Sequence, residues 1–183
     1  MSFVGIRIPH DVGRLFSSVQ VPGEKVPTDE LHITLLYIGK ETPLEMIGRA
    51  VVAAAEVAES TKPFRLQVSK STCFPKNDDG VPVICPVESP ELHELNGQLK
   101  QSFDRHNVDY SKKFPDYRPH VTLAYHTDHV EEETFGPLDW SAYEMVLWAG
   151  DSGDDRVSAT FPFAFPKKVA TGEKLVRLLS SVR

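Results

Sequence analysis

Two short segments of this chain place an imidazole and a hydroxyl two residues apart. His32-Ile33-Thr34-Leu35-Leu36-Tyr37 matches His120-Val121-Thr122-Leu123-Ala124-Tyr125 at His, Thr, Leu and Tyr. Seven histidines and ten threonines in 183 residues give roughly 0.4 His-x-Thr pairs by chance, so a single match says little. Requiring leucine next lowers the expectation to roughly 0.03, yet the chain holds two. Imidazole titrates near neutral pH, so one histidine can take a proton while the other gives one. Two hydroxyls supply donors for the non-bridging oxygens of a phosphate held between them. The set suits phosphodiester chemistry without a metal. One histidine activates water or a sugar hydroxyl, and the other protonates the leaving oxygen.

Both motifs lie in β-type runs, Leu31–Gly39 and Pro119–Tyr125. Strand side chains alternate between faces, so His32 and Thr34 share one face, as do His120 and Thr122. Strict alternation sends Ile33, Leu35 and Tyr37 to the opposite face, with Val121, Leu123 and Tyr125 likewise. Core packing is therefore the expected role of both tyrosines.

The elements around the motifs follow from periodicity and punctuation. Phe3–Pro9 reads as a strand and His10–Val19 as a short helix with Val12, Leu15, Phe16 and Val19 at helical spacing. Thr42 and Pro43 read as an N-cap and first helical residue, opening a helix to about Ser60. Pro63–Phe74 and Val81–Val87 read as a hairpin about the turn Lys76–Gly80. Ser89 and Pro90 open a helix to about Asn107. Trp140–Ala149 and Arg156–Phe163 read as two strands joined at Gly150–Gly153. This mixed order predicts an α+β fold with largely antiparallel sheets.

Composition bounds the partners. Hydrophobic residues make up 40% and charged residues 25% of the chain, which is ordinary for a globular protein. The net charge of −6 divides unevenly. Residues 166–183 carry +4 and residues 1–165 carry −10. An acidic body is a poor binder of long duplex nucleic acid, whose affinity rests on many Lys/Arg–phosphate contacts. No apolar run is long enough for a membrane span, and the N-terminus lacks the pattern of a signal peptide. Cys73 and Cys85 make neither a disulfide framework nor a zinc quartet, so the cytoplasm is the expected compartment, with both thiols reduced and buried.

The paired His-x-Thr-Leu strands resemble the 2H phosphoesterase superfamily, which includes 2′-5′ RNA ligase-like proteins and cyclic nucleotide phosphodiesterases. The resemblance runs over roughly residues 2–163, through Phe3–Pro9, Leu31–Gly39 and Pro119–Tyr125. It implies two lobes related by a pseudo-two-fold, each a small sheet with helices outside, and a site in the cleft between them. Residues 1–165 would form this bilobal domain. It also implies that His32 and His120 are catalytic and that Thr34 and Thr122 bind the substrate phosphate. By analogy, His32 protonates the leaving oxygen and His120 activates the nucleophile. Members of the family cleave 2′,3′-cyclic phosphates, ADP-ribose cyclic phosphate, 2′-5′ linkages or RNA 3′ ends, and some phage members degrade cyclic oligonucleotide defence signals. The second motif ends in Tyr125, where bacterial ligase-type members often carry a basic residue.

The expected activity is a metal-independent phosphodiesterase with no cofactor, acting on a small nucleotide or an RNA end. A ligase must hold two RNA ends, which the acidic body disfavours. A non-catalytic nucleotide-binding module has no need for two titrating groups. Further candidate substrate contacts are Arg118, Tyr117 and Trp148, with Phe114, Lys112 and Lys113 beside them. For each, the alternative is packing or a solvated loop. His126-Thr127-Asp128-His129 has two metal-ligand types but no Cys or Glu at ligand spacing. Residues 166–183 form a basic amphipathic tail, with Leu175, Leu178, Leu179 and Val182 on one helical face. Its candidate roles are docking on its own domain, a protein contact, or an anionic surface.

Overall fold

Apolar residues on the backs of the two motif strands anchor the molecule. In the computed structural model, which describes residues 1–150 and 156–164, Ile33, Leu35, Val121 and Leu123 are all buried. The strands are β1 (Ser2–Arg7), β2 (Glu24–Lys25), β3 (His32–Gly39), β4 (Phe64–Cys73), β5 (Val81–Pro86), β6 (His120–His126), β7 (Glu133–Ala142), β8 (Glu144–Ala149) and β9 (Val157–Pro162). Three helices accompany them: α1 (His10–Ser18), α2 (Leu44–Ser60) and α3 (Pro90–Arg105).

The strand order is β7-β4-β5-β6-β3-β1-β8-β9, and the pairings are antiparallel. Read from its centre, this order is a palindrome of roles. β3 and β6 carry the motifs and meet at Ile33 and Val121. Each is flanked outward by one strand, β1 or β5, and then by a two-strand arm, β8-β9 or β4-β7. The molecule is α+β as expected, with a large antiparallel sheet whose strand order has a pseudo-two-fold about the β3–β6 pair.

The helices cover the back of the sheet. Ala50, Ala53 and Ala54 have no exposed surface and let α3 approach α2 closely. Ser102 donates to the Ala53 carbonyl at 3.1 Å. Asn96 donates to the Leu35 carbonyl at 2.6 Å and ties α3 to the first motif strand. The Ser89 cap forms as expected, accepting the Leu92 N–H at 3.3 Å. The Thr42 cap does not form. The flanking residue of α2 is Pro43, whose carbonyl takes the Ile47 N–H, and the Thr42 hydroxyl is buried without a partner. Leu15 is also turned outward, 51% exposed, despite its helical spacing with buried Val12 and Phe16.

Two β-bulges overturn the strict alternation expected of the motif strands. On β3, Thr34 pairs with Gly5 but Leu36 pairs with Val4, so Leu35 is an extra residue. On β6, Thr122 pairs with Ile84 but Ala124 pairs with Val83, so Leu123 is extra. Both members of each doublet, Leu35-Leu36 and Leu123-Ala124, are buried. One extra residue restores the next side chain to the opposite face. Tyr37 and Tyr125 therefore stand on the histidine side, not among the core residues behind it. Tyr37 packs with Phe3, Val146 and Trp148.

The expected strand Trp140–Ala149 is two strands of different arms, β7 and β8. Residues 166–183 and the turn residues 151–153 lie outside the described residues. Among the described residues no helix is long and apolar enough to cross a membrane.

Candidate functional site

The antiparallel register sets the site. With Ile33 opposite Val121, one step along each strand puts His32 beside Thr122 and Thr34 beside His120, all four on the face away from the core. The four residues named by the motif are thus brought together, each histidine next to the threonine of the other motif. Each is half-buried. Among the described residues neither threonine hydroxyl has a protein hydrogen-bond partner, so both are left for a ligand.

The imidazoles are held in the same way. His32 Nδ1 lies 2.6 Å from the Glu30 carbonyl, and His120 Nδ1 lies 2.6 Å from the Arg118 carbonyl. A carbonyl only accepts, so Nδ1 carries the hydrogen in both rings. That leaves Nε2 as the basic atom in each neutral imidazole and fixes the tautomer. The carbonyl two residues upstream serves each histidine, repeating the pseudo-symmetry at the level of single bonds.

Aromatic packing differs between the halves. His32 lies 4.8 Å from the Phe3 ring and 5.7 Å from the Trp148 ring. Gly5 makes room for this: a Cβ there would sit 2.5 Å from the Ile33 carbonyl oxygen and 3.2 Å from Trp148 Cζ3. His120 instead meets the edge of Phe74 at 4.7 Å. Burial lowers the pKa of His32, and the charges of Arg156 and His120 lower it further against the Glu30 carbonyl bond. Burial also lowers the pKa of His120, against the Arg118 carbonyl bond. The repulsion that His120 exerts on a charged His32 reflects how near the two imidazoles lie.

These shifts set an expected pH response. With no ligand bound, both imidazoles titrate below the ordinary value of about 6.5. If the pair works as acid and base, the bell of kcat/KM is expected to peak on the acid side of that value, its alkaline limb being loss of the proton from the histidine that serves as acid. A bound phosphate anion favours both imidazoliums, so the kcat profile should move to higher pH. Initial rates across pH at low and saturating substrate read both; a kcat/KM optimum above pH 8 would contradict the burial of these rings.

The remaining candidates divide. Trp148 is brought to the site: it stacks on Phe3 at 4.9 Å and borders His32. Arg118 is exposed and serves His120 through its carbonyl. Tyr117 packs against His93 of α3 at 5.3 Å rather than against either motif, and its buried hydroxyl is unpartnered. Lys112 sits over the Tyr110 ring at 3.4 Å, while Phe114 is 70% exposed. His126 and His129 do not converge. His126 Nδ1 meets the Asp128 backbone, and His129 Nδ1 lies 3.2 Å from Cys73 Sγ. Cys73, expected as a buried thiol, is only partly buried, whereas Cys85 is buried and its pKa is pushed up to about 12. Among the described residues no group of three or more His, Cys, Asp or Glu is placed to hold a metal ion.

Two site residues escape sequence reasoning. Arg7 pairs directly with His32 in the β1–β3 register. Arg156, just before β9, acts on His32 through its charge. Neither lies in a motif; the signal for Arg7 is its register, which only the pairing reveals.

Residues 20–154 match the family described as the 2′-5′ RNA ligase superfamily. A curated relative, the anti-CBASS protein Acb1 of Vibrio phage KVP40, is 25% identical over 128 residues, 68% of this chain and 72% of that protein. Among solved structures, TT0787 of Thermus thermophilus superposes with a TM-score of 0.71 at 22% identity, covering 88% of this chain and 97% of that one. Escherichia coli LigT in complex with 3′-AMP superposes with a TM-score of 0.65 at 18% identity, covering 89% and 94%. These structural likenesses concern the fold.

Proposed function

The chain belongs to the 2′-5′ RNA ligase superfamily, and from that premise we propose that it is a metal-independent phosphodiesterase of small nucleotides, acting on 2′,3′-cyclic phosphates or 2′-5′ linkages. The observation that carries this reading is the mirrored pair of imidazoles. Each is tied through Nδ1 to a carbonyl, with Nε2 free and a threonine hydroxyl alongside. In the proposed reaction the neutral Nε2 of one histidine takes a proton from water. The water oxygen bonds to phosphorus, the bond from phosphorus to the leaving sugar oxygen breaks, and the second histidine gives that oxygen its proton. Thr34 and Thr122 donate to the non-bridging oxygens. The donors are fixed before the reaction, so little reorganisation accompanies the charge that develops. The site's half-burial suits a nucleotide or a chain end rather than long duplex.

A second reading narrows the substrate to cyclic oligonucleotide defence signals. It is favoured by the similarity to a phage anti-CBASS protein.

The test is incubation of the purified protein, with EDTA, against 2′,3′-cyclic mononucleotides, 2′-5′ dinucleotides and cyclic dinucleotides. Cleavage of at least one class is expected to survive EDTA. Loss of all cleavage on chelation, restored by Zn²⁺ or Mn²⁺, would overturn the metal-free mechanism. Cleavage of cyclic dinucleotides alone would select the second reading.

A further inference from the structure

Charge is distributed unequally between two halves that otherwise mirror each other. Arg7 lies across from His32. The pseudo-symmetric position, across from His120, is Pro86. The Arg7 guanidinium sits 5.6 Å from the centre of the Trp148 ring, the same ring that borders His32 at 5.7 Å. An aromatic face beneath a guanidinium orients it and leaves its donors free at the edge. Arg156 enters from the β8–β9 arm, next to Val157, which pairs with Ala149.

Arg49, Arg65 and Arg105 pair with Glu45, Asp139 and Glu56. Among the described residues the half-buried Arg156 has no carboxylate within ion-pair distance, nor do the exposed Arg7, Arg14 and Arg118. The Arg156 Nε is buried without a partner. The charge of Arg156 opposes protonation of His32, and an anion bound beside it would relieve that opposition. Thr34 and Thr122 already supply a symmetric cradle for one phosphate, which leaves the arginines free for another.

We infer that Arg7, assisted by Arg156, forms a second phosphate position on the His32 side of the site. The substrate then carries a phosphate besides the scissile one, as an oligonucleotide does and a nucleoside 2′,3′-cyclic phosphate does not. This rests on the phosphodiesterase reading above and narrows its substrate class. Guanidinium–phosphate bonds are charge-assisted and often bidentate, so the second phosphate should strengthen binding by about tenfold or more.

The experiment separates this inference from the catalytic one by measuring binding. His120→Ala protein, in which turnover is expected to be slow, is titrated calorimetrically with ApA, pApA and cyclic di-AMP. At least one of the two-phosphate ligands is expected to bind about tenfold tighter than ApA. In the His120→Ala, Arg7→Gln double variant that advantage should fall below about threefold, while ApA affinity holds. The salt dependence of the two-phosphate ligand should also lose about one unit of slope. An additional Arg7→Lys variant should recover only part of the preference, because an ammonium lacks the planar fork. No preference in the parent, or equal weakening of one- and two-phosphate ligands by Arg7→Gln, would overturn the second phosphate position. Failure of the catalytic reading appears separately, as a wild-type protein that cleaves nothing in the nucleotide panel.

Discussion

Replacing His32 or His120 by alanine is expected to lower turnover of the cleaved nucleotide by about 10²–10⁴-fold, the usual contribution of a positioned acid or base. The double variant should be little worse than the worse single one, because an acid and a base acting in one step behave as a unit. Both side chains are anchored by one backbone carbonyl and lie outside the main core, so the variants should fold. A thermal unfolding midpoint near wild type checks this. Full activity in either alanine variant refutes the paired mechanism.

The division of labour between the histidines is open to the same variants. The family resemblance makes His32 the acid. The local charges argue the other way. Burial disfavours both imidazoliums, but only His32 also faces the guanidinium of Arg156. In the free protein the charge of Arg156 thus favours the neutral form of His32, the form in which a base begins. An anion bound at Arg7 and Arg156 removes much of that difference. A substrate with a very good leaving group needs no acid, and so rescues only the variant that lacks the acid. Rescue of His32→Ala supports the assignment implied by the resemblance; rescue of His120→Ala supports the one favoured by the charges.

The placement of the four motif residues was legible because it depends on a period of two that holds over three residues. His-x-Thr spans only that distance, and the bulges begin just beyond it. Tyr37 and Tyr125 lie three residues further on, past the extra residue, and so their faces were misassigned. The sequence does carry the signal. Leu35-Leu36 and Leu123-Ala124 are adjacent apolar residues in strands that otherwise alternate, which is how a bulge keeps both members on the core.

β7 was hidden for a different reason. Glu131-Glu132-Glu133 is too acidic, and Gly136-Pro137 too turn-like, for a strand pattern. The strand forms at the end of the sheet, where a proline's missing N–H is tolerated. Its register on β4 also slips between Val68 and Lys70, so residues 135–137 are passed over in the pairing. The Nδ1–carbonyl bonds and the proximity of Arg7 depend on backbone direction and strand register. No spacing of residue types encodes either.

Thr34→Val and Thr122→Val are the most conservative tests of the phosphate cradle. Valine nearly matches threonine in shape and suits a strand at least as well. Neither hydroxyl has a protein partner among the described residues, so its removal breaks no internal bond and stability should hold. Each substitution is nevertheless expected to lower kcat by about 10–1000-fold, the scale of losing one preorganised donor to a developing oxyanion. The loss should fall mainly on kcat with little change in KM, because the bond strengthens as charge gathers on the non-bridging oxygen. The register sharpens the expectation: Thr34 neighbours His120 and Thr122 neighbours His32, so each half of the site depends on a donor from the other motif. Both single variants should therefore be impaired with either neutral or good leaving groups, unlike the acid-deficient histidine variant. Wild-type kcat in either valine variant would mean that hydroxyl does not hold the phosphate, and a matching rise in KM alone would make it a ground-state contact.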